Sequence, residues 1–277
     1  MAIAPSFRPG GQYFGPLLGV VAIALVAGVV SYLVVGRQDA TPAAEPVADV
    51  PTLSTAPIPV DEAPPPVQLP ALGESDDLVR DLVSALTPHS AFAAWLIPNQ
   101  LVRLFVVVVE NVADGHNPAA RLTPLRPTQR FQTSGDPSHP AIAAASHARY
   151  NTHAEIVASI DPAGAAALYR RIYPLIAEAY TELGHPEGAF DDTLRRALEN
   201  LLETPILERS ETLLPRATFF EFTDQGLEDL LPAQKQFMGM GPRNVRAVQA
   251  SIRDIARELG LAAASLPTPR VIREDSR

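Results

Sequence analysis

Glu178, Asp191 and Asp192 are the acidic side chains best placed along the chain to act as a general acid and base, since each falls in a segment with strong helical patterning. Glycosidic hydrolysis holds two carboxyls about 5–5.5 Å apart for retention or about 6.5–9.5 Å apart for inversion. Spacing along a chain sets no such distance, and helix caps and solvated helix faces account for the three acids without a reaction. Other chemistries lack their residues. There is no cysteine, which removes thiolate ligands, disulfides and cysteine nucleophiles together. The six His show no HExxH or other close ligand spacing, and neither a GxSxG elbow nor a GxxxxGK[ST] loop occurs. No catalytic residue is assigned, and neither a metal nor a cofactor is expected.

Two local features could bind rather than react. Tyr169, Tyr173 and Tyr180 recur at intervals that border one edge of an apolar helical stripe, and Pro174 between them removes a helical hydrogen bond to the Arg170 carbonyl. A tyrosine strip beside a bend reads as a ligand groove whose hydroxyls suit a carboxylate or a glycan. The alternative is rings packed inward with their hydroxyls at the rim. Gly239, Gly241 and Arg243 belong to a GMGPRN turn before a helix, where backbone amides can meet phosphate. That turn lacks the third glycine of a dinucleotide fingerprint, and a plain interhelical turn explains it as well.

The elements that must hold these residues are helical. Asp76–Leu86 places Leu78, Leu82, Val83 and Leu86 on one face after Ser75 as cap. Asn99 caps an apolar helix over 100–115, although Val106 to Val109 also suits a buried strand. A short hairpin is expected between Phe131 and Ile142, and a helix from His153 to Ile160. Asp161 and Pro162 then open a long helix to Leu183, with Leu168, Ile172, Leu175, Ile176, Ala179 and Leu183 inward and Gly184 ending it. Asp191 caps a helix carrying Leu194, Leu198, Leu201 and Leu202. A short strand lies in Ala217–Phe222, and Pro242 starts a last helix with Arg246, Arg253 and Arg257 on its outer face.

Ahead of this domain, Gly15 to Val35 is uncharged and apolar, long enough at about 1.5 Å per residue to cross a bilayer core of about 30 Å. It reads as a single transmembrane helix whose partner is the lipid bilayer, after a flank at 1–14. The linker over 36–74 is rich in Pro and Ala, and from Gln38 to Glu74 it carries Asp39, Glu45, Asp49, Asp61, Glu62 and Glu74 without one Lys or Arg. Such a composition cannot bury enough surface to offset its ordering entropy. The fold class is thus mainly α: an anchor, a disordered linker, a helical globular domain over 75–260 with a small β-hairpin, and a disordered tail over 261–277. The formal charge of -9 offers no bulk positive field for nucleic acid, which is not expected as a partner.

The blocks Ser75–Leu86 (SDDLVRDLVSAL), Leu168–Pro205 (LYRRIYPLIAEAYTELGHPEGAFDDTLRRALENLLETP) and Gln234–Val245 (QKQFMGMGPRNV) stand in the order seen in the bacterial domain of unknown function family 3014, which the chain resembles over most of Leu69 to Gly260. The resemblance implies a membrane-anchored protein and brings no activity. Between Gln129 and Tyr150 the chain departs from the expected aromatic stretch. The expectation is a non-catalytic adaptor in the inner membrane, single-pass, with its carboxyl-terminal domain in the periplasm and an envelope protein or cell-wall component as partner. An envelope glycan- or peptide-acting enzyme using Glu178 and the Asp191–Asp192 pair is one alternative, and a cytoplasmic phosphate-backbone binder through Gly239, Gly241 and Arg243 is the other.

The periodicity makes a direct prediction. Leu175→Asp puts an unpaired charge on the core stripe and should collapse the thermal transition, whereas Arg253→Ala on a solvated face should shift stability by less than about 0.5 kcal/mol. Melts of the parent and both variants check the helical register.

Overall fold

The computed structural model describes residues 68–273. The expected anchor at 15–35, the flank before it and the linker up to Val67 lie outside the described residues, as do 274–277. The linker expectation ends too late. Leu69 already packs against the core, Leu72 is buried, and Leu72–Glu74 forms a turn of 3₁₀ helix.

Helix α1 (Asp76–Ser84) turns Val79 and Val83 inward. The Ser75 hydroxyl, the expected cap, donates to the Leu72 carbonyl at 2.8 Å instead. Asp76 has the larger task, because its carboxylate accepts the amides of Gln100 (2.6 Å) and Leu101 (2.8 Å) at the start of α2 (Leu101–Ala113). Gln100 sits at φ 58°, and Asp76, not Asn99, supplies the side-chain oxygens there. Between α1 and α2 a 3₁₀ helix, Ser90–Leu96, buries Phe92 and Trp95. Helix α2 buries seven of its side chains, among them Val106, Val108 and Val109, and resolves the strand alternative in favour of helix.

The expected hairpin is present as β1 (Thr133–Ser134) paired antiparallel with β2 (Ala141–Ile142). Short α3 (Ala144–Ala148) and α4 (Asn151–Ala158) lead to α5 (Pro162–Glu182), where Asp161 accepts the amides of Ala163 and Gly164 and Pro162 occupies the first turn, as read from the sequence. Helix α6 (Phe190–Leu202) follows. Helix α2 packs on α5 and α6, while α9 (Pro242–Glu258) packs on α4, α5 and α6, so one continuous core runs through the bundle. Strands β4 (Leu213–Pro215) and β5 (Phe220–Phe222) pair antiparallel, then α7 (Gln225–Glu228) and α8 (Pro232–Met238) complete a smaller apolar cluster around Leu213, Phe222, Leu227 and Met238.

Two expectations about the end of the chain are corrected. The segment after Gly260 is not a disordered tail throughout: Val271–Ile272, as β6, pairs in parallel with β3 (Ile206–Leu207). The same segment covers part of α9, so Arg253 is not on a bare outer face. Its guanidinium donates to the carbonyls of Gln249 (3.3 Å) and Pro267 (3.0 Å), and burial pulls its pKa down. Arg253→Ala would remove both hydrogen bonds, so the cost expected from the structure is about 1 kcal/mol or more, above the expectation for a solvated face. Arg246 pairs with Glu208 and Arg257 with Asp254. Leu175, in contrast, is buried as the periodicity requires, whereas Leu183, expected on the same stripe, stands at the helix end and is 44 % exposed.

Helix ends inside this bundle find their partners on other helices. The Gln249 amide, 1 % exposed on α9, donates towards the carbonyls of Leu201, Leu202 and Thr204 at 2.9–3.2 Å. A helix terminus leaves its last carbonyls without intrahelical donors, and a buried unsatisfied acceptor costs about 1–3 kcal/mol. Gln249→Met, similar in length but without a donor, should therefore lower stability by about 2–4 kcal/mol, measured by chemical denaturation.

Candidate functional site

The long helix α5, the first turns of α6 and the chain just past α9 meet around an open groove of about 500 Å³. It is lined by the leucines Leu194, Leu198, Leu259 and Leu261, by the rings of Tyr169 and Tyr173, and by Arg170, Asp191 and Arg195. Each wall follows from a local rule. Leu194 and Leu198 are one turn apart on the inward stripe of α6, and Gly260, at positive φ, ends α9 and turns Leu261 back beside Leu259. Asp191 stands in the first turn of α6, not at its cap, where the helix dipole favours a negative charge.

The Tyr169 hydroxyl donates to the Asp191 carboxylate. Burial first, and that carboxylate second, push the Tyr169 hydroxyl pKa up, and Tyr173 moves in the same direction for the same reasons. The two rings meet edge to face at 5.5 Å. Arg195 pairs with Asp192 (3.3 Å) and Glu199 (3.0 Å), and Arg170 donates to the Glu258 carbonyl at the end of α9 (2.5 Å). The rim charges are thus largely matched within the protein, so the groove offers apolar area and oriented aromatic rings more than a net field.

Of the expected tyrosine strip, Tyr169 and Tyr173 line the groove and Tyr180 does not. Seven residues beyond Tyr173 at about 1.5 Å each carry Tyr180 about 10 Å along the helix axis. There Phe190, fully buried, stands between the rings, 6.4 Å from Tyr169 and 5.2 Å from Tyr180. Tyr180 instead shares a hydrogen bond with Thr193 (2.8 Å) and stacks at 4.1 Å on His185, which meets Glu110. The groove residues the sequence reading missed are Arg170, Arg195, Leu259 and Leu261. Arg195 had a signal in its spacing from Asp192 and Glu199, whereas nothing local tells that Leu261 folds back.

The expected acid pair is not assembled. Glu178 is exposed and lies near Arg103 and Glu182, Asp192 is turned to Arg195, and Asp191 is the single carboxylate lining the groove. Two opposed carboxyls at glycosidase spacing are therefore not found there. The phosphate turn is corrected too. The amides of Gly239, Met240 and Gly241 donate to the carbonyls of Lys235, Phe237 and Met238, which closes the end of α8 and leaves none of the three for an anion. Gly241 is required by space and by backbone: φ is 84°, and a Cβ would come within 2.5 Å of the His147 ring. Arg243 is exposed and reaches Glu155 at 3.8 Å. Among the described residues no group of three or more His, Asp or Glu could hold a metal, and no single helix is long and apolar enough to cross a membrane.

These features define a mainly helical domain with small sheets and one sizeable aromatic and leucine-lined groove. The family model described as "Protein of unknown function (DUF3014)" matches residues 101–256, more than half of the chain, and the chain belongs to that family. No curated protein matches it, and no solved structure does.

The Tyr169–Asp191 bond can be tested in the folded state. A hydroxyl whose pKa is raised on folding contributes stability that is full below its unfolded value, about pH 10, and is lost as pH rises past it towards the folded value. Tyr169→Phe should cost about 1–2 kcal/mol at pH 7 and give a shallower alkaline loss of stability than the parent, read from denaturation curves at pH 7 to 11.

Proposed function

We propose that this protein is a membrane-tethered envelope protein whose helical domain binds a protein or cell-wall partner through the groove at Tyr169, Tyr173 and Asp191, without catalysing a reaction. The observation that carries this reading is the composition of the groove: a leucine floor, two rings set edge to face, and rim charges already matched by Asp192, Glu199 and the end of α9. A ligand gains most there by burying apolar side chains against the leucines and rings, at about 25 cal/mol per Å² of apolar surface removed from water. Orientation would come from the few polar groups at the rim, as in most ligand sites. An extended peptide segment with two or three apolar side chains fits that chemistry better than a highly charged or phosphorylated ligand does.

The tether half of the proposal is supported by the apolar run from Gly15 to Val35 and the acidic, proline-rich stretch that follows it. Delivery outside the cytoplasm is consistent with a linker that supplies no positive charge beyond Arg37 to retain it inside.

Two measurements test the halves separately. Carboxyl-terminal fusions to alkaline phosphatase and to a cytoplasm-restricted fluorescent protein should be active and dark respectively, and the reverse pattern removes the periplasmic placement. A displayed peptide library panned on residues 68–273 should enrich apolar sequences whose binding drops at least tenfold in Tyr173→Ala. Enriched peptides that bind that variant and the parent equally would remove the groove.

A further inference from the structure

A second groove, of about 420 Å³, lies between the segment leading to β1 and helices α3 and α4; its polar walls include Arg126, Gln129, Arg149 and Thr152. Between Gly115 and Ala154 the chain carries Arg121, Arg126, Arg130 and Arg149, and its single carboxylate there is Asp136. That acid accepts the Ser138 amide and hydroxyl, both at 2.8 Å. Among the described residues none of these four arginines makes an ion pair, whereas most of the others are matched by carboxylates. Two of them, Arg126 and Arg149, line this groove, which gives an acidic protein a local site of opposite sign to its own net charge.

The groove is also held in shape. The Arg149 guanidinium donates through Nε to the Ser146 carbonyl (3.0 Å) and through Nη1 to that of Gln129 (3.2 Å). It lies over the rings of Phe131 (5.5 Å) and Tyr150 (5.2 Å). Those contacts leave Nη2 for an acceptor, and a positioned guanidinium loses less freedom on pairing than a lysine would. Arg126, on the opposite lip, is exposed.

We infer that this groove docks the chain's own acidic linker, with the Asp61–Glu62 pair set against Arg126 and Arg149. The linker lies outside the described residues, but its sequence and its point of entry are known. From Gln38 to Glu74 it holds only negative charges, and it joins the domain at Gln68. Asp61 lies seven positions before Gln68, and Pro64, Pro65 and Pro66 are among the six residues between them, a composition that extends at about 3.1 Å per residue. Fully extended, that gives a reach of about 20 Å from the point of entry. Being part of the same chain, the acidic pair is presented at an effective concentration on the order of millimolar, so individually weak surface pairs can hold it. Docking would shorten the tether and draw the domain towards the start of the linker; raised ionic strength would release it, since pairs of this kind are screened over about 10 Å at 0.1 M salt. The inference is independent of the groove at Tyr169.

The absence of native cysteine allows a clean distance measurement on the full chain in detergent micelles. Spin labels at Ala63→Cys and at exposed Ala144→Cys, beside the groove, should give a narrow distribution below about 30 Å at low salt, in keeping with the short spacer. It should broaden to longer distances at 0.5 M salt and in Arg126→Glu, and should narrow again when Arg126→Glu is combined with Asp61→Arg and Glu62→Arg. A distribution that is the same in all four conditions overturns the proposal. So does one in which the Arg126→Glu variant leaves the linker distances unchanged but loses binding of the domain to anionic lipid nanodiscs, which would assign the groove to a lipid surface.

Discussion

Several helices of this bundle end in the protein interior, and a buried helix end must find hydrogen-bond partners that its own backbone cannot supply. The fold answers this with side chains from other helices. Asp76 of α1 accepts the first amides of α2, and Asn200 of α6 donates to the Val112 and Ala113 carbonyls at the other end of α2. Gln249 of α9 closes α6, and Ser251 donates to the Val157 carbonyl near the end of α4. Each of these bonds sets one helix axially against another, and apolar packing alone, being non-directional, would not do so. The axial position of α6 against α5 and α9, which creates the leucine-floored groove, depends on this set of polar ties.

Phe190 makes the consequence local. Its buried ring sits in the first turn of α6, between Tyr169 and Tyr180, and turns one helical strip of tyrosines into two different environments. On one side Tyr169 and Tyr173 face the groove with Asp191. On the other, Tyr180 joins Thr193, His185 and Glu110 in a structural cluster. Tyr169 and Tyr180 are both buried, but one lines the groove and the other does not, and a single side chain from the neighbouring helix separates them.

Charge is likewise partitioned. Around the Tyr169 groove the arginines are matched locally, which suits apolar recognition, whereas the arginines from Arg121 to Arg149 are unmatched by any described carboxylate. The acidic linker is the complement in sign to the second face and not to the first.

Much of the fold was legible before any coordinates. The 3.6-residue stripes placed α2, α5, α6 and α9, Asp161 and Pro162 marked the start of α5, and the quoted blocks pointed to the family, because caps, periodicity and local motifs are properties of neighbouring residues. The hairpin near β1 and β2 was read from its turn residues for the same reason. What the tertiary structure alone decided are relations between residues far apart in sequence. They include Asp76 in place of Asn99 at the start of α2, the return of the tail to pair with β3, the cover that Pro267 gives Arg253, and the closing of the Gly239–Gly241 amides onto α8. Tyr169 and Tyr173 could be proposed from one helix, but Leu261 and Arg170 became groove residues only because α5, α6 and the end of α9 converge. Helical periodicity gives the direction of a side chain around its own axis and contains no information about which other axis, at what height, will face it.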